Sequence, residues 1–248
     1  MLTKAQVKDI RSLTLTKYRA ERKTYIVEGD KMCREWLAAD VSVEQIIAVK
    51  DWLAEQESAI AQHREAIVVA VTDSELARIS SLQTPNKVLL VVRFPDGQDM
   101  LPTNEWSIAI DKLQDPGNMG TIIRIADWYG INHIVASPDS VDFYNTKVLQ
   151  AAMGGHLRVQ LHSADLPVFL KQIQIPILAT TLDGKNIHET ASPEAAVLVI
   201  GNESKGVSEE VLAFATQKIM IPRRGGAESL NAAVATGICC ALLLPPLN

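Results

Sequence analysis

Residues 107–130 read Ser-Ile-Ala-Ile-Asp-Lys-Leu-Gln-Asp-Pro-Gly-Asn-Met-Gly-Thr-Ile-Ile-Arg-Ile-Ala-Asp-Trp-Tyr-Gly. The apolar run Ser107–Asp111 predicts a short buried strand, and Pro116 and Gly117 predict a tight turn that leads into a helix. A strand, a turn and a helix in this order form the unit from which parallel, helix-covered sheets are built. The stretch therefore predicts an α/β fold.

The helix in this stretch is expected to have a buried face and a polar one. Ile122, Ala126 and Tyr129 share one face and should be core. Arg124 lies off that face and near the loop end, where an arginine beside a helix N-terminus makes a natural anion site. The alternative is that Arg124 forms a surface ion pair and that Asn118 is only a turn residue.

Downstream of this helix, short apolar runs alternate with helical patterns. The runs are apolar on both faces, which is typical of a mostly parallel sheet with helices on both faces. Further strands are predicted at His133–Ala136, Arg158–Leu161, Pro176–Thr181, Ala195–Ile200 and Lys218–Ile221. Ligands bind beyond the carboxyl ends of parallel strands, so the polar residues that follow the first and the last two strands form the candidate site.

The second polar stretch, Gly201–Gly206, follows the strand Ala195–Ile200 directly. Its two glycines permit a ligand to approach the backbone closely. Glu203 is a loop carboxylate, and Ser208 is expected to cap the next helix. The spacing matches neither a Walker loop nor a Gly-x-Gly-x-x-Gly dinucleotide loop, so it indicates a ligand site of another kind.

The third stretch, Ile221–Ala235, leads into a final helix rich in small residues. Ser229 is expected to cap this helix, and Asn231 is expected within its first turn. Because asparagine is a poor helix-interior residue, Asn231 is the better candidate for a functional role.

Residues 1–98 form a separate first block. Its apolar strands alternate with helical patterns, which predicts a small α/β domain. The polar residues 99–104 are expected to be a linker, and residues 105–248 a second domain.

Composition narrows the function classes. A net charge of −5 is a mild argument against a protein that binds nucleic acid. Residues 1–25, however, carry seven lysines and arginines and only two acidic residues. They form either an RNA-docking patch or an ordinary solvated helix face. No apolar run is long enough to span a membrane, no signal peptide is visible, and three cysteines without a Cys-x-x-Cys pair argue against zinc. We therefore expect a soluble, cytoplasmic protein without a metal.

In their order and spacing, the three stretches resemble the signature motifs of the SpoU–TrmH family. Members of this family are S-adenosylmethionine-dependent RNA ribose 2′-O-methyltransferases of the SPOUT superfamily. The resemblance covers Asp111–Gly130, Gly201–Gly206 and Ile221–Ala235. In the first block, Lys17-Tyr-Arg, Tyr25-Ile-Val-Glu-Gly and Thr84-Pro85 are similar to the family's substrate-binding domain, which is itself similar to small ribosomal proteins that bind RNA.

The resemblance implies a SPOUT-type parallel sheet with a C-terminal trefoil knot, and S-adenosylmethionine as cofactor. It also implies a homodimer in which each active site is completed across the interface. The residues implied in cofactor binding are Thr180, Gly201, Ile221, Pro222 and Leu230.

The resemblance assigns methyl transfer to Arg124, Asn118, Glu203, Ser229 and Asn231. In the family, the arginine is given the task of removing the hydroxyl proton. Arginine is almost never deprotonated, so the other interpretation is electrostatic. In that role Arg124 binds the RNA phosphate, orients the hydroxyl and stabilises developing alkoxide charge.

Family members often have methionine after the Ile-Pro of the third motif, whereas this chain has Arg223 and Arg224. The residues expected to contact RNA are Lys17, Arg19 and Arg223. Ribosomal RNA is favoured over tRNA, because the first block resembles that of rRNA-modifying members. The alternatives are a tRNA methyltransferase, a noncatalytic RNA-binding or ribosome-assembly protein of the same fold, and an α/β enzyme for a small nucleotide.

Overall fold

The computed structural model describes residues 2–95, 101 and 103–245. These residues divide into two compact units. The first unit contains 2–95 and 144–157, and the second contains 101, 103–143 and 158–245. No helix in the described part of the chain is long and apolar enough to cross a membrane.

The helices are α1 (Lys4–Ser12), α2 (Thr16–Arg22), α3 (Asp30–Leu37), α4 (Lys50–Glu55), α5 (Glu57–Ile60), α6 (Asp73–Ala77), α7 (Pro116–Tyr129), α8 (Thr146–Ala152), α9 (Leu166–Leu170), α10 (Glu209–Leu212) and α11 (Ala232–Leu243). The strands are β1 (Thr24–Glu28), β2 (Val43–Val49), β3 (Ile67–Val71), β4 (Val88–Arg93), β5 (Ser107–Ile110), β6 (His133–Ala136), β7 (Gln160–Ser163), β8 (Ile177–Asn186), β9 (Val197–Ile200) and β10 (Gln217–Met220).

The first unit is built on a four-stranded sheet with the order β1-β4-β2-β3. Strand β4 runs antiparallel to β1 and β2, and β3 runs parallel to β2. Ile10 and Leu13 pack with Ile26, Ile47 and Leu89 of the sheet in one buried cluster. The small α/β fold predicted for the first block is confirmed.

The segment Tyr144–Leu157, which includes α8, packs with the first unit. The Tyr144 ring stacks on Phe94 with ring centroids 4.4 Å apart and lies 4.6 Å from the ring of Tyr25. The division at residues 99–104 stays a prediction, and part of that linker, Asp99, Met100 and Pro102, lies outside the described residues.

The second unit contains a six-stranded sheet with the order β10-β8-β9-β5-β6-β7. Every pair in it is parallel, as predicted. Ala109, Val135 and Val199 face one side, where they pack with residues of α9 and α10. Ile108 and Ile134 alternate with them and are equally buried on the other face, so both faces of the sheet are covered.

Two strand predictions in this sheet were displaced. The strand expected at Arg158–Leu161 is β7, two residues later, and the strand expected at Pro176–Thr181 extends to Asn186 as β8. The trefoil knot implied by the resemblance stays a prediction.

Residues 180–184 bulge out of the ladder between β8 and β10, and are called the β8 bulge here. The pairing moves from Lys218 opposite Ala179 to Ile219 opposite Lys185. The bulge frees the intervening backbone groups from β10. At its end, a Cβ on Gly184 would come 2.7 Å from the backbone of Ile219, so this close approach requires glycine.

Candidate active site at the strand ends

Three neighbouring strands, β8, β9 and β10, deliver the predicted cofactor residues to one edge of the sheet. Thr180 begins the β8 bulge, Gly201 follows β9 and Ile221 follows β10. The strand beside β9 is β5, which leads to Asp111 and then to α7. Because all four strands are parallel, these residues lie at the same carboxyl edge, where α/β sheets bind ligands.

A partly buried hydrogen-bond network connects three of the predicted catalytic residues. The Asn118 amide nitrogen donates to Glu203 Oε1 at 3.1 Å, and the Asn231 amide nitrogen donates to Asn118 Oδ1 at 2.7 Å. Asn118 is therefore fixed from both ends of its amide, and it is buried. The network holds one carboxylate and two amides in defined orientations near the strand ends.

The termini of α7 and α11 position this network. Asp115 caps α7 by accepting a hydrogen bond from the Asn118 N–H at 2.7 Å. Asn231 caps α11, where its Oδ1 accepts from the N–H groups of Ala233 and Val234. The expectation that Ser229 would cap this helix was wrong, because the helix begins two residues later and Asn231 takes the cap.

Glu203 is held as a carboxylate by the groups around it. Burial opposes the charged form, but hydrogen bonds from its own N–H, the Asp115 N–H, the Asn118 amide and the Gln114 N–H outweigh that effect. The pKa of Glu203 is therefore lowered from its ordinary value of 4.5. An ionised Glu203 accepts hydrogen bonds only, which fixes Asn118 with its nitrogen toward the carboxylate.

Glu203→Gln is expected to lower the free energy of unfolding above about pH 5, by no more than about 1 kcal/mol since solvent screens the carboxylate. The lowered pKa means that wild-type Glu203 contributes stability above its unfolded pKa and loses it as the pH falls through the folded value. The gap between the two proteins should close in acid. Urea unfolding of both proteins from pH 3 to 7 measures it, and a pH-independent gap would contradict the assignment.

Three polar residues that the sequence reasoning passed over stabilise the loops of the site. Asp111 Oδ2 accepts the N–H of Ser208 at 2.7 Å. The Asn202 amide nitrogen donates to the Lys112 carbonyl at 2.7 Å, and Lys112 has a left-handed backbone with φ of 57°. The sequence held a signal for these residues, since all three lie within two residues of the end of a buried strand.

Gly201 is the tightest backbone position of the site. Asn202 and Gly206 exchange N–H to carbonyl hydrogen bonds of 3.0 and 2.9 Å, which closes the loop into a short bridge. A Cβ on Gly201 would lie 2.2 Å from backbone atoms of Gly206 and Val207. Gly201 is thus required by the loop itself, in addition to any cofactor.

Arg124 and Ser229 are not part of the network. Arg124 is exposed on α7, and its side chain forms no hydrogen bond or salt bridge with the residues that the structure describes. Ser229 is exposed in the loop before α11. Ile122 and Ala126 are buried as predicted, but Tyr129 is exposed, so its assignment to the core was wrong.

The edge that carries the predicted cofactor residues is suited to a ligand. Thr181, in the β8 bulge, has a buried hydroxyl without a hydrogen-bond partner among the described residues. Thr180 donates its hydroxyl to the Val199 carbonyl at 3.0 Å, which anchors the start of the bulge to β9. Leu230 is half-exposed and leaves an apolar surface open. Freed backbone groups, an unsatisfied hydroxyl and an open apolar surface fit a ligand with both polar and apolar parts.

The residues expected to contact RNA differ in their environments. Lys17 is exposed, whereas Arg19 is only 1% exposed. Arg19 donates to the Leu13 carbonyl at 2.7 Å and to the Thr16 hydroxyl at 3.0 Å. Its assignment as an RNA contact is therefore wrong, because its buried guanidinium hydrogen-bonds to the segment that joins α1 and α2. Arg223 is exposed and donates to the Ala227 carbonyl at 3.1 Å, within its own loop.

Two family models match this chain. The model of the SpoU rRNA Methylase family matches residues 105–241, more than half of the chain. The model of the MRM3-like substrate binding domain matches residues 4–90. The two matches follow one another along the chain.

Individual relatives resemble nearly the whole chain. The 23S rRNA (guanosine(2553)-2′-O)-methyltransferase RlmP of Bacillus subtilis is 31% identical, over 94% of this chain and 93% of the relative. A solved structure of a TrmH-family protein from Porphyromonas gingivalis is 35% identical, covers 98% of both chains and has a TM-score of 0.88. An AdoMet-bound rRNA methyltransferase from Sinorhizobium meliloti is 29% identical, covers 97% of this chain and 94% of its own, and has a TM-score of 0.87. The resemblance carried by the three motifs is confirmed, and the chain belongs to the SpoU rRNA methylase family.

Proposed function

We propose that this protein transfers a methyl group from S-adenosylmethionine to a ribose 2′-hydroxyl of ribosomal RNA. The observation that carries the proposal is the network of Asn118, Glu203 and Asn231, fixed at the carboxyl edge of a parallel sheet. The names of the relatives, a 23S rRNA 2′-O-methyltransferase and an AdoMet-bound rRNA methyltransferase, support the reaction and the substrate class.

When bound, S-adenosylmethionine supplies a methyl group on a sulfonium, which is already a strong electrophile. The work left to the protein is positioning and charge stabilisation. The β8 bulge, Gly201, Ile221, Pro222 and Leu230 would hold the cofactor. The Asn118 network would fix the geometry of the pocket beside it, with Ser229 at its rim.

Arg124 is proposed to act on the RNA as a cation and hydrogen-bond donor. Its exposure on α7 leaves the planar guanidinium available for a phosphate or for the reacting hydroxyl. A guanidinium stays protonated in proteins, so stabilising the developing alkoxide is a better role for it than removing the proton.

We further propose that two copies of the chain form the active enzyme. Helix α11 contains no charged residue, and its outward side chains include Val234, 51% exposed, and Leu242, 40% exposed. A helix that is apolar on all sides is normally covered. A second copy that covers α11 would lie beside the strand-end site, because Asn231 of the network caps this helix.

The RNA-docking surface is proposed to lie on α1 and α2. Exposed cations on these helices and at their ends are Lys4, Lys8, Arg11, Lys17 and Lys23. Arg22 belongs to the same region but pairs with Asp9 and Glu44. Arg223 is proposed as a contact near the active site.

Replacing Lys8 and Lys17 together by alanine should weaken RNA binding and reduce the slope of log K against log salt concentration by about 2. Each exposed lysine releases about one counterion when it neutralises a phosphate. Filter binding to in vitro transcribed 23S rRNA at several salt concentrations measures the slope. Lys171→Ala, an exposed lysine of the second unit, is the matched control. An unchanged slope in the double variant would exclude this surface.

The proposed function is tested by mapping 2′-O-methyl groups in ribosomal and transfer RNA from cells with and without the gene. Loss of one ribosomal 2′-O-methyl group is the expected result. A lost methyl group in tRNA would redirect the substrate assignment, and unchanged RNA would overturn it. Calorimetry with S-adenosylmethionine separates an enzyme from a noncatalytic RNA-binding protein. The cytoplasmic location stays a prediction.

A further inference from the structure

Trp128, in the last turn of α7, is 84% exposed. The other three tryptophans, Trp36, Trp52 and Trp106, are between 0% and 9% exposed. Tryptophan is enriched at interfaces, because its large ring covers much apolar surface when a partner binds. The side chain of Trp128 forms no ring contact or hydrogen bond with the residues that the structure describes.

Trp128 lies on the same side of α7 as Arg124. Residues four apart in a helix are neighbours, with Cβ atoms about 5–6 Å apart. Helical side chains also lean toward the N-terminus, so the Trp128 ring leans over the turn that carries Arg124. Thr121, one turn earlier, continues this exposed side. We call Thr121, Arg124 and Trp128 the outer α7 strip.

The charge around the outer α7 strip suits an anionic partner. Asp127, next to Trp128 in sequence, is held by Arg158 in a two-pronged salt bridge with both N–O distances at 2.8 Å. Its charge is therefore neutralised, while Arg124 forms no salt bridge with the described residues. The strip presents a cation, a hydroxyl and an aromatic ring, and no aliphatic side chain.

We propose that Trp128 is a stacking platform for an unpaired RNA base next to the target nucleotide. The inference rests on the proposed function, which brings Arg124 to the RNA backbone at the reacting ribose. An aromatic ring one helical turn from that arginine is placed for the neighbouring base, since unpaired bases stack on tryptophan. The aliphatic outer face of α11 suits a second copy of the chain better than this strip does.

The native tryptophans make the test direct, because three of the four are buried. Acrylamide quenching of tryptophan fluorescence in the free protein should report Trp128 almost alone. Adding in vitro transcribed 23S rRNA is expected to protect this fluorescence, and Trp128→Phe should abolish the quenchable signal. A free protein whose tryptophans are all shielded, or a wild-type signal that RNA leaves quenchable, would overturn the proposal.

Substitutions of Trp128 distinguish stacking on an RNA base from packing against a second copy of the chain. Trp128→Ala is expected to weaken rRNA binding about tenfold, and Trp128→Phe to stay within about threefold of wild type. Cofactor binding and the sedimentation coefficient should not change in either variant. If Trp128→Ala dissociates a dimer, the ring packs on a second copy and the proposal is wrong. Equal binding by the alanine and phenylalanine variants would also refute it.

A methyl-transfer assay on the wild-type protein and on Trp128→Ala distinguishes this inference from the proposed function. If wild-type protein methylates rRNA and Trp128→Ala binds and methylates it normally, the stacking role alone fails. If wild-type protein transfers no methyl group to ribosomal RNA, the proposed function fails. Protection of Trp128 by RNA would in that case still support RNA contact at the outer α7 strip.

Discussion

Arg124→Ala is expected to bind S-adenosylmethionine normally and to transfer methyl groups about 100- to 1,000-fold more slowly. The side chain is exposed and forms no bond with the described residues, so its loss should leave the Asn118 network intact. In the proposed mechanism, the substitution removes a positive charge beside the hydroxyl where alkoxide character develops. Calorimetry measures cofactor binding, and transfer of a tritiated methyl group to rRNA measures the rate.

Two further variants sharpen this experiment. Arg124→Lys should also be slow, because a point charge does not replace a planar guanidinium that donates from two nitrogens. Arg64→Ala removes an exposed arginine from the first unit and should transfer at a nearly normal rate. Near-normal transfer by Arg124→Ala would exclude Arg124 from the mechanism.

The second large effect is expected at Gly201. An alanine there would place its Cβ 2.2 Å from the Gly206 carbonyl carbon and the Val207 nitrogen. Both are backbone atoms, so the contact cannot be relieved by rotating a side chain. The loop from Asn202 to Gly206 must move, and it carries Glu203. We expect Gly201→Ala to lose about 3 kcal/mol or more of stability, together with cofactor binding.

Thermal unfolding and calorimetry with S-adenosylmethionine measure the two effects of Gly201→Ala. The matched control is Gly225→Ala, where an added Cβ meets no atom within 4 Å. That variant should keep its unfolding temperature. A Gly201→Ala protein that folds and binds cofactor normally would show that the loop has an alternative conformation and that the close approach is not required.

Sequence reasoning predicted the second unit well because its strands are apolar on both faces. Strands such as β5 and β9 are short, fully buried and followed at once by glycine or polar residues. The ends of β7 and β8 were harder to predict, because polar residues lie within these strands as well as beyond them. The β8 bulge depends on the backbone of β10, which lies more than 30 residues away in sequence, so local patterns did not predict it.

The sequence predicted which residues belong to the site better than it predicted how they are arranged. Asn118, Glu203 and Asn231 were identified from the motifs, but hydrogen bonds between them cross 85 and 113 residues of sequence. Ser229 was favoured as a cap because serine often caps helices, yet the helix starts later. Arg19 was read as a surface charge in a basic segment, and only the fold shows that its guanidinium is buried.

The bond between Asn231 and Asn118 also has a consequence for synthesis on the ribosome. Asn118 is made early in the second unit, and its partner follows 113 residues later. A nascent chain that ends before Asn231 has strands β5 to β10 but no complete polar network. The hydrogen bond that holds Asn118 on this side can therefore form only after the start of α11 has been synthesised, so the network is completed after the sheet that carries it.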